Sequence, residues 1–224
     1  PVLPGTYRVS ASFGGNENYN SASSEYATLV IVGCVNEAPE MGDFETAMGS
    51  GNSTNPATIK RPANTQTGDL LIVGLMFEKG RAPSVSPPDD SWKLIQRVDQ
   101  LNQVAMVTYY KVAGASEPAS YTWTVSGVSI SVAVGISAFG GVDTASPIVV
   151  SAAAATPASL THSAPSVSPN VPSGVLVTSH EYASSSSWAP PSGMTEAVDV
   201  ATSPILPATG VTLSMNYKAL GGAG

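Results

Sequence analysis

Apolar and polar positions alternate strictly through Thr6-Tyr7-Arg8-Val9-Ser10-Ala11-Ser12-Phe13, with apolar side chains at Tyr7, Val9, Ala11 and Phe13. A period of two residues is the mark of a strand with one buried face. Gly14-Gly15-Asn16-Glu17-Asn18 supplies turn chemistry, and Tyr26 to Val32 reads as a second strand. Two strands alone are marginal in water, so the pattern predicts a hairpin belonging to a larger domain. Further on, Leu70-Leu71-Ile72-Val73-Gly74-Leu75-Met76-Phe77 is almost continuously apolar. It is too short for a confident helix and reads as a strand buried on both faces. More strand-like runs follow at Trp92 to Val98, Val104 to Val112, Tyr121 to Val125, Val128 to Phe139, Gly174 to Tyr182, Met194 to Val198 and Val211 to Leu220. Turn residues separate them at regular spacing, which predicts a sandwich or barrel. No segment carries a capped helical stripe. Ala152 to Ala155 is Ala-rich but closely bounded by Thr, Pro and Ser, and His162 falls in what reads as a polar turn.

The runs after residue 60 echo one another. Gly68-Asp69-Leu70-Leu71-Ile72-Val73 corresponds to Gly174-Val175-Leu176-Val177-Thr178. Val107-Thr108-Tyr109-Tyr110-Lys111 corresponds to Ser214-Met215-Asn216-Tyr217-Lys218, 107 positions later. The Pro87-Pro88 turn and Trp92 correspond to Pro190-Pro191 and Met194. So long a period is not a solenoid, and it suits two related sets of strands in a double Greek key. The first copy continues through Tyr121-Thr122-Trp123-Thr124-Val125 to Phe139, whereas the second reaches only Leu220 and Gly221-Gly222-Ala223-Gly224. One or two closing strands are therefore expected to be missing from the second copy.

Two resemblances bear on these segments. Pro4-Gly5-Thr6-Tyr7-Arg8-Val9 through Phe13-Gly14-Gly15-Asn16-Glu17-Asn18-Tyr19-Asn20 resembles the closing end of bacterial Ig-like repeat domains. That implies a tandem-domain surface protein in which such repeats act as spacers. Residues 38–224 resemble jelly-roll (concanavalin A-like) domains of bacterial surface and phage-virion proteins. The matching text is Gly68-Asp69-Leu70-Leu71-Ile72, Tyr110-Lys111-Val112-Ala113-Gly114-Ala115-Ser116-Glu117-Pro118 and Phe139-Gly140-Gly141-Val142-Asp143. The expected architecture is an all-β, two-sheet antiparallel jelly-roll-like β-sandwich preceded by an N-terminal β-hairpin from an Ig-like domain. The expected division is an Ig-like fragment at 1–32, a linker at 33–37 and the sandwich at 38–224. Leu70, Ile72, Trp92, Tyr110, Trp123 and Phe139 are the expected fold determinants.

Composition narrows the function. Charged residues are only 11% of the 224, well under the usual quarter, as in extracellular β modules. The net charge of −7 and the scatter of nine Lys and Arg argue against nucleic acid as a partner. No apolar run approaches the length of a membrane-spanning helix. The single cysteine, Cys34, has no internal partner for a disulfide.

Candidate chemistry is sparse. The two histidines, His162 and His180, lie in no nucleophile motif, and Asp89-Asp90 after Pro87-Pro88 reads as a turn. No catalytic residues are expected, and the chain is read as a non-enzyme. No cofactor is expected apart from calcium, for which Glu40, Asp43 and Glu45, and Asn16, Glu17 and Asn18, are weak candidates because calcium takes oxygen ligands. The three tryptophans share faces with core residues and read mainly as packing. Tyr182 and Trp188, beside the Ser184–Ser187 loop, remain the candidate ligand contacts. The sequence thus points to a non-catalytic adhesion or recognition module, extracellular, at the cell surface or on a virion. Its expected partner is a surface glycan or a host-surface protein. A carbohydrate-binding module of a secreted glycan-degrading enzyme and a purely structural stalk or virion domain are the alternatives.

Overall fold

In the computed structural model, the apolar runs form fifteen strands and no helix among the described residues, which are 7–12, 25–33, 40–50, 57–78, 84–100, 104–126, 131–156, 161–171, 173–184, 186–202 and 210–221. In chain order these are β1 (Tyr7–Ser12), β2 (Glu25–Gly33), β3 (Glu40–Ser50), β4 (Ala57–Lys60) and β5 (Leu70–Glu78). Then come β6 (Val85–Ser86), β7 (Lys93–Gln100), β8 (Val104–Val112), β9 (Ser120–Val125) and β10 (Ser131–Gly140). The last are β11 (Ile148–Thr156), β12 (Thr161–Val167), β13 (Gly174–Tyr182), β14 (Thr195–Ala201) and β15 (Thr212–Leu220). The molecule is an all-β antiparallel sandwich. Most of the linker, Cys34 included, and Asn16, Glu17 and Asn18 lie outside the described residues.

Two five-stranded sheets form the middle of the molecule, in the orders β3-β10-β5-β8-β7 and β11-β2-β13-β15-β14. They pack face to face over a core of Leu70, Ile72, Met76, Met106 and Phe139 from one sheet and Val30, Val177, Val198, Leu213 and Met215 from the other. Gly74 and Gly135, which are cross-strand partners, face the second sheet at close range, over Leu213 and Val198. A Cβ on Gly135 would fall 2.6 Å from a methyl of Val198, so only glycine fits there. On the other face of the first sheet lies a small sheet, β4-β9-β6. Trp92, Tyr121, Trp123, Ile59 and Val125 pack there against Leu71, Val73, Leu75, Phe77, Val107 and Tyr109. On the far face of the second sheet lie β1 and β12, hydrogen-bonded to each other; Ala164 and Val167 of β12 pack on Leu176 and Leu220. Continuously apolar β5 is buried because both of its faces meet another layer.

The internal repeat is structural. In the first copy β5 pairs with β8, Ile72 opposite Tyr110, and β7 pairs with β8 with a bulge between Leu94 and Gln96. In the second, β13 pairs with β15, Val177 opposite Tyr217, and β14 pairs with β15 with a bulge between Glu196 and Val198. Bulge and register coincide. Ile72 is thus equivalent to Val177, an offset of 105 rather than the 106 that aligns Gly68 with Gly174. The difference matters, because one residue of slip exchanges the two faces of a strand.

The first copy is a nested set: β3 pairs with β10, β4 with β9, and β5 with β8. The second copy repeats it as β11 with β2, β12 with β1, and β13 with β15. This corrects one expectation. The strands at 7–12 and 25–33 form, but they do not make a hairpin with each other; β2 lies between β11 and β13. Here β1 and β2 pair with the second copy as β9 and β10 do with the first. The sequence carries the same equivalence. Pro4-Gly5-Thr6-Tyr7 echoes Pro118-Ala119-Ser120-Tyr121, and Gly33-Cys34-Val35-Asn36 echoes Gly140-Gly141-Val142-Asp143. The physical reason is edge pairing: β11 and β13 each present a row of backbone donors and acceptors that a strand between them satisfies.

Candidate functional site: a polar wall in the second copy

The two copies serve as controls for one another. On the outer face of the first five-stranded sheet the rows read Val73, Tyr109, Leu94, then Leu75, Val107, Arg97, then Phe77, Ala105, Asp99. The equivalent rows on the second sheet read Thr178, Asn216, Glu196, then His180, Ser214, Asp199, then Tyr182, Thr212, Ala201. Where the first copy is apolar in β5 and β8, the second carries hydroxyl, amide and imidazole groups. Thr178, His180, Thr212, Ser214 and Asn216 are all fully buried. Burying polar groups without full compensation costs stability, so a wall of them in place of a working apolar layer is a departure that packing does not require.

Over this wall sits an aromatic cluster. Trp188, on the segment before β14, lies 5.0 Å from the His162 ring at 87° and 5.8 Å from the His180 ring at 39°. His162 and Tyr182 meet edge to face at 6.5 Å. His162 belongs to β12, not to a turn, and its ring is buried. In the first copy the corresponding cover is apolar and aromatic, with Trp92 and Trp123 at 5.0 Å and Tyr109 and Trp123 at 4.7 Å. Trp188 corresponds to Val85 by its place before the Pro-Pro turn.

Short polar links fix the wall. Asn216 Nδ2 donates to Ser214 Oγ at 3.0 Å, and the Ser186 amide donates to Thr212 Oγ1 at 3.0 Å. The Thr212 hydroxyl also donates to the Ser184 carbonyl. The Trp188 amide donates to Asp199 Oδ2 at 3.4 Å. Among the described residues, neither ring nitrogen of His180, nor Asn216 Oδ1, has a hydrogen-bond partner. Burial pushes the His180 imidazole down to about 3, and the facing His162 opposes a second positive charge. His180 is therefore neutral at ordinary pH. Burial raises the carboxyl of Asp199, an effect partly offset by the Trp188 amide.

A Ser, a His and an Asp in one row invite comparison with a catalytic triad. The order is wrong for it. Ser214 lies between His180 and Asp199, whereas a relay needs the imidazole between the nucleophile and the acid. Glu181 points to the opposite face, where the first copy has Met76; it is fully buried, and burial raises its carboxyl well above the ordinary range.

Of the ligand contacts expected from sequence, Tyr182 and Trp188 are brought together in one cluster, and both are buried, at 2% and 6% exposure. Neither offers an open ring face. Glu40, Asp43 and Glu45 lie on β3 along β10, and no group of three His, Cys, Asp or Glu able to hold a metal gathers among the described residues. No helix of the described residues is long and apolar enough to cross a membrane. Sequence reading missed Thr178, Ser214 and Asn216. The Ser214 and Asn216 part of the signal lay in the repeat at the 107-residue offset, opposite Val107 and Tyr109; the Thr178 and His180 part is visible only at the 105-residue offset that pairs them with Val73 and Leu75. No family model, curated protein or solved structure matches this chain.

Proposed function

We propose that this chain is a non-catalytic adhesion or recognition module of a multidomain extracellular surface or virion protein, in which two jelly rolls have divided labour. The first copy is the scaffold, with an apolar outer layer and a sealed ion-pair network. Lys111 Nζ lies 2.9 Å from Glu117 Oε2, to which the Tyr121 hydroxyl also donates at 2.8 Å. The second copy is the recognition half. The single observation that carries this reading is the replacement of Val73, Leu75, Val107 and Tyr109 by Thr178, His180, Ser214 and Asn216 at equivalent places. Low surface charge supports an extracellular setting.

The partner class this reading carries is a surface glycan or a host-surface protein; the wall and the rings of Tyr182 and Trp188 lie inside the second copy and distinguish it from the first without themselves offering a face to a ligand. The test is a glycan array probed with the parent chain. The expected outcome is a reproducible set of hits that share one sugar class. No parent hits would turn the assignment to the purely structural alternative.

A further inference from the structure

We propose that the β1–β12 layer of the second copy is a cover that opens on its own while both five-stranded sheets stay folded, and that each opening exposes the polar wall of β13 and β15 to solvent. The opening is a property of the packing and holds whether or not the chain is an adhesion module.

Three observations lead there, each with the first copy as its control. First, the surface beneath the cover grips it weakly. β4 and β9 rest on Val73, Leu75, Val107 and Tyr109, whereas the equivalent places beneath β12 and β1 carry Thr178, His180, Ser214 and Asn216. Separating apolar surfaces in water costs free energy, but hydroxyl, amide and imidazole groups recover hydrogen bonds when water reaches them. Among the described residues, neither nitrogen of His180 nor Asn216 Oδ1 has a partner under the closed cover. Opening supplies all three with water.

Second, the cover is light. In the first copy Trp123 stands opposite Ala57 and Tyr121 opposite Ile59, and all four are buried in one apolar cluster. At the equivalent pairs Val9 stands opposite Ala164 and Tyr7 opposite Val167. Trp92, which packs on Trp123 at 5.0 Å, is replaced by Met194. What β12 itself buries is His162, Ala164 and Val167. An indole removes far more surface from water than any of the aliphatic groups among them.

Third, the ladder of the cover is interrupted. β4 and β9 pair without a break from Ala57 to Lys60. Between β1 and β12 the register shifts between Tyr7 and Val9. Pro165 lies on β12 at that place, next to Ala164, and brings no N–H to the ladder. Segments with few buried apolar contacts and weak ladders open below the free energy of global unfolding.

Ser214 and Val107 hold equivalent places under the two covers and make matched probes. In a Cys34→Ser background, one full-length chain carries Ser214→Cys and another Val107→Cys. Each is exposed to an aromatic disulfide reagent in native buffer and in low urea, and its global unfolding curve is measured in parallel. S214C should label at least about a hundredfold faster than V107C, at a rate that barely changes in low urea, because a local opening uncovers little surface. The V107C rate should climb with urea along its global unfolding curve. A second readout needs no substitution: amide hydrogen exchange of the parent, corrected for intrinsic rates, should run at least about tenfold faster in 161–167 than in 57–60 and 120–125. Labelling of both cysteines at one rate that follows global unfolding, with β12 amides as slow as those of β4 and β9, would overturn the proposal.

Discussion

His180 and Glu181 are neighbours in sequence and point to opposite faces of β13, and burial moves them in opposite senses. His180 titrates lower in the folded state than its ordinary value near 6.5. Its contribution is therefore complete above pH 6.5 and is lost as pH falls from there toward 3. Glu181 titrates above its ordinary 4.5, so its contribution is complete below that and is lost as pH rises. Between 4.5 and 6.5 the two effects oppose each other. Urea titrations across pH should find a flatter profile there than below 4.5, where only the fall from His180 acts. The first copy names the substitutions that dissect it, since Leu75 and Met76 stand where His180 and Glu181 do. H180L should stabilise by about 1–3 kcal/mol at pH 7, because two buried nitrogens that have no partner among the described residues leave the interior. It should also make stability fall as pH rises from 4.5 to 6.5. E181M should remove the loss of stability that Glu181 brings as pH rises above 4.5. Unchanged profiles in both variants would contradict the burial of these side chains.

Among the elements, β2 decides the most. It is a central strand, hydrogen-bonded on both edges, and Val30 is buried in the main core. Proline at such a position removes a ladder hydrogen bond and clashes with the strand, at a cost of about 3 kcal/mol or more. Val30→Pro should lower the global unfolding midpoint followed by the fluorescence of Trp92, Trp123 and Trp188, none of which lies in β1 or β2. An appended hairpin would behave differently, melting alone and leaving the tryptophan transition in place. The strongest strands, β5, β8, β10, β13 and β15, are legible in sequence from continuous apolar runs. Three others are not. β12 carries Thr161, His162 and Ser163, whose polarity reads as a turn, and only pairing with β1 makes it a strand. β11 is a run of alanines, neutral in periodicity, and β2 and β7 give it its neighbours. β4 is four residues long and depends on β9.

At the scale of the whole molecule, the two copies have the same nesting but different connectivity. Val112 reaches Ser120 through residues 113–119 in the first copy, whereas in the second copy the equivalent strands, β15 and β1, stand far apart in chain order. A circular permutant that joins Gly224 to Pro1 and opens the chain within 34–39 would make both copies continuous. It should retain the parent's circular dichroism spectrum and a single unfolding transition, with stability within about 1 kcal/mol, because the closed loops are of similar length. A molten or biphasic product would show that β1 and β2 do not hold the closing places of the second copy.

The chain's own pattern determined that the protein is all-β, which runs are buried, and that the second half repeats the first, because periodicity and turn chemistry act over a few residues. Tertiary structure alone decided which strands are partners. Strand 25–33 has the same local preference whether it faces residues 7–12 or 174–182, and the choice belongs to edges formed about 150 residues away. It also decided that Thr178, His180, Ser214 and Asn216 form one buried wall. A side chain's face is set by register, and register is a property of the pair of strands rather than of either one.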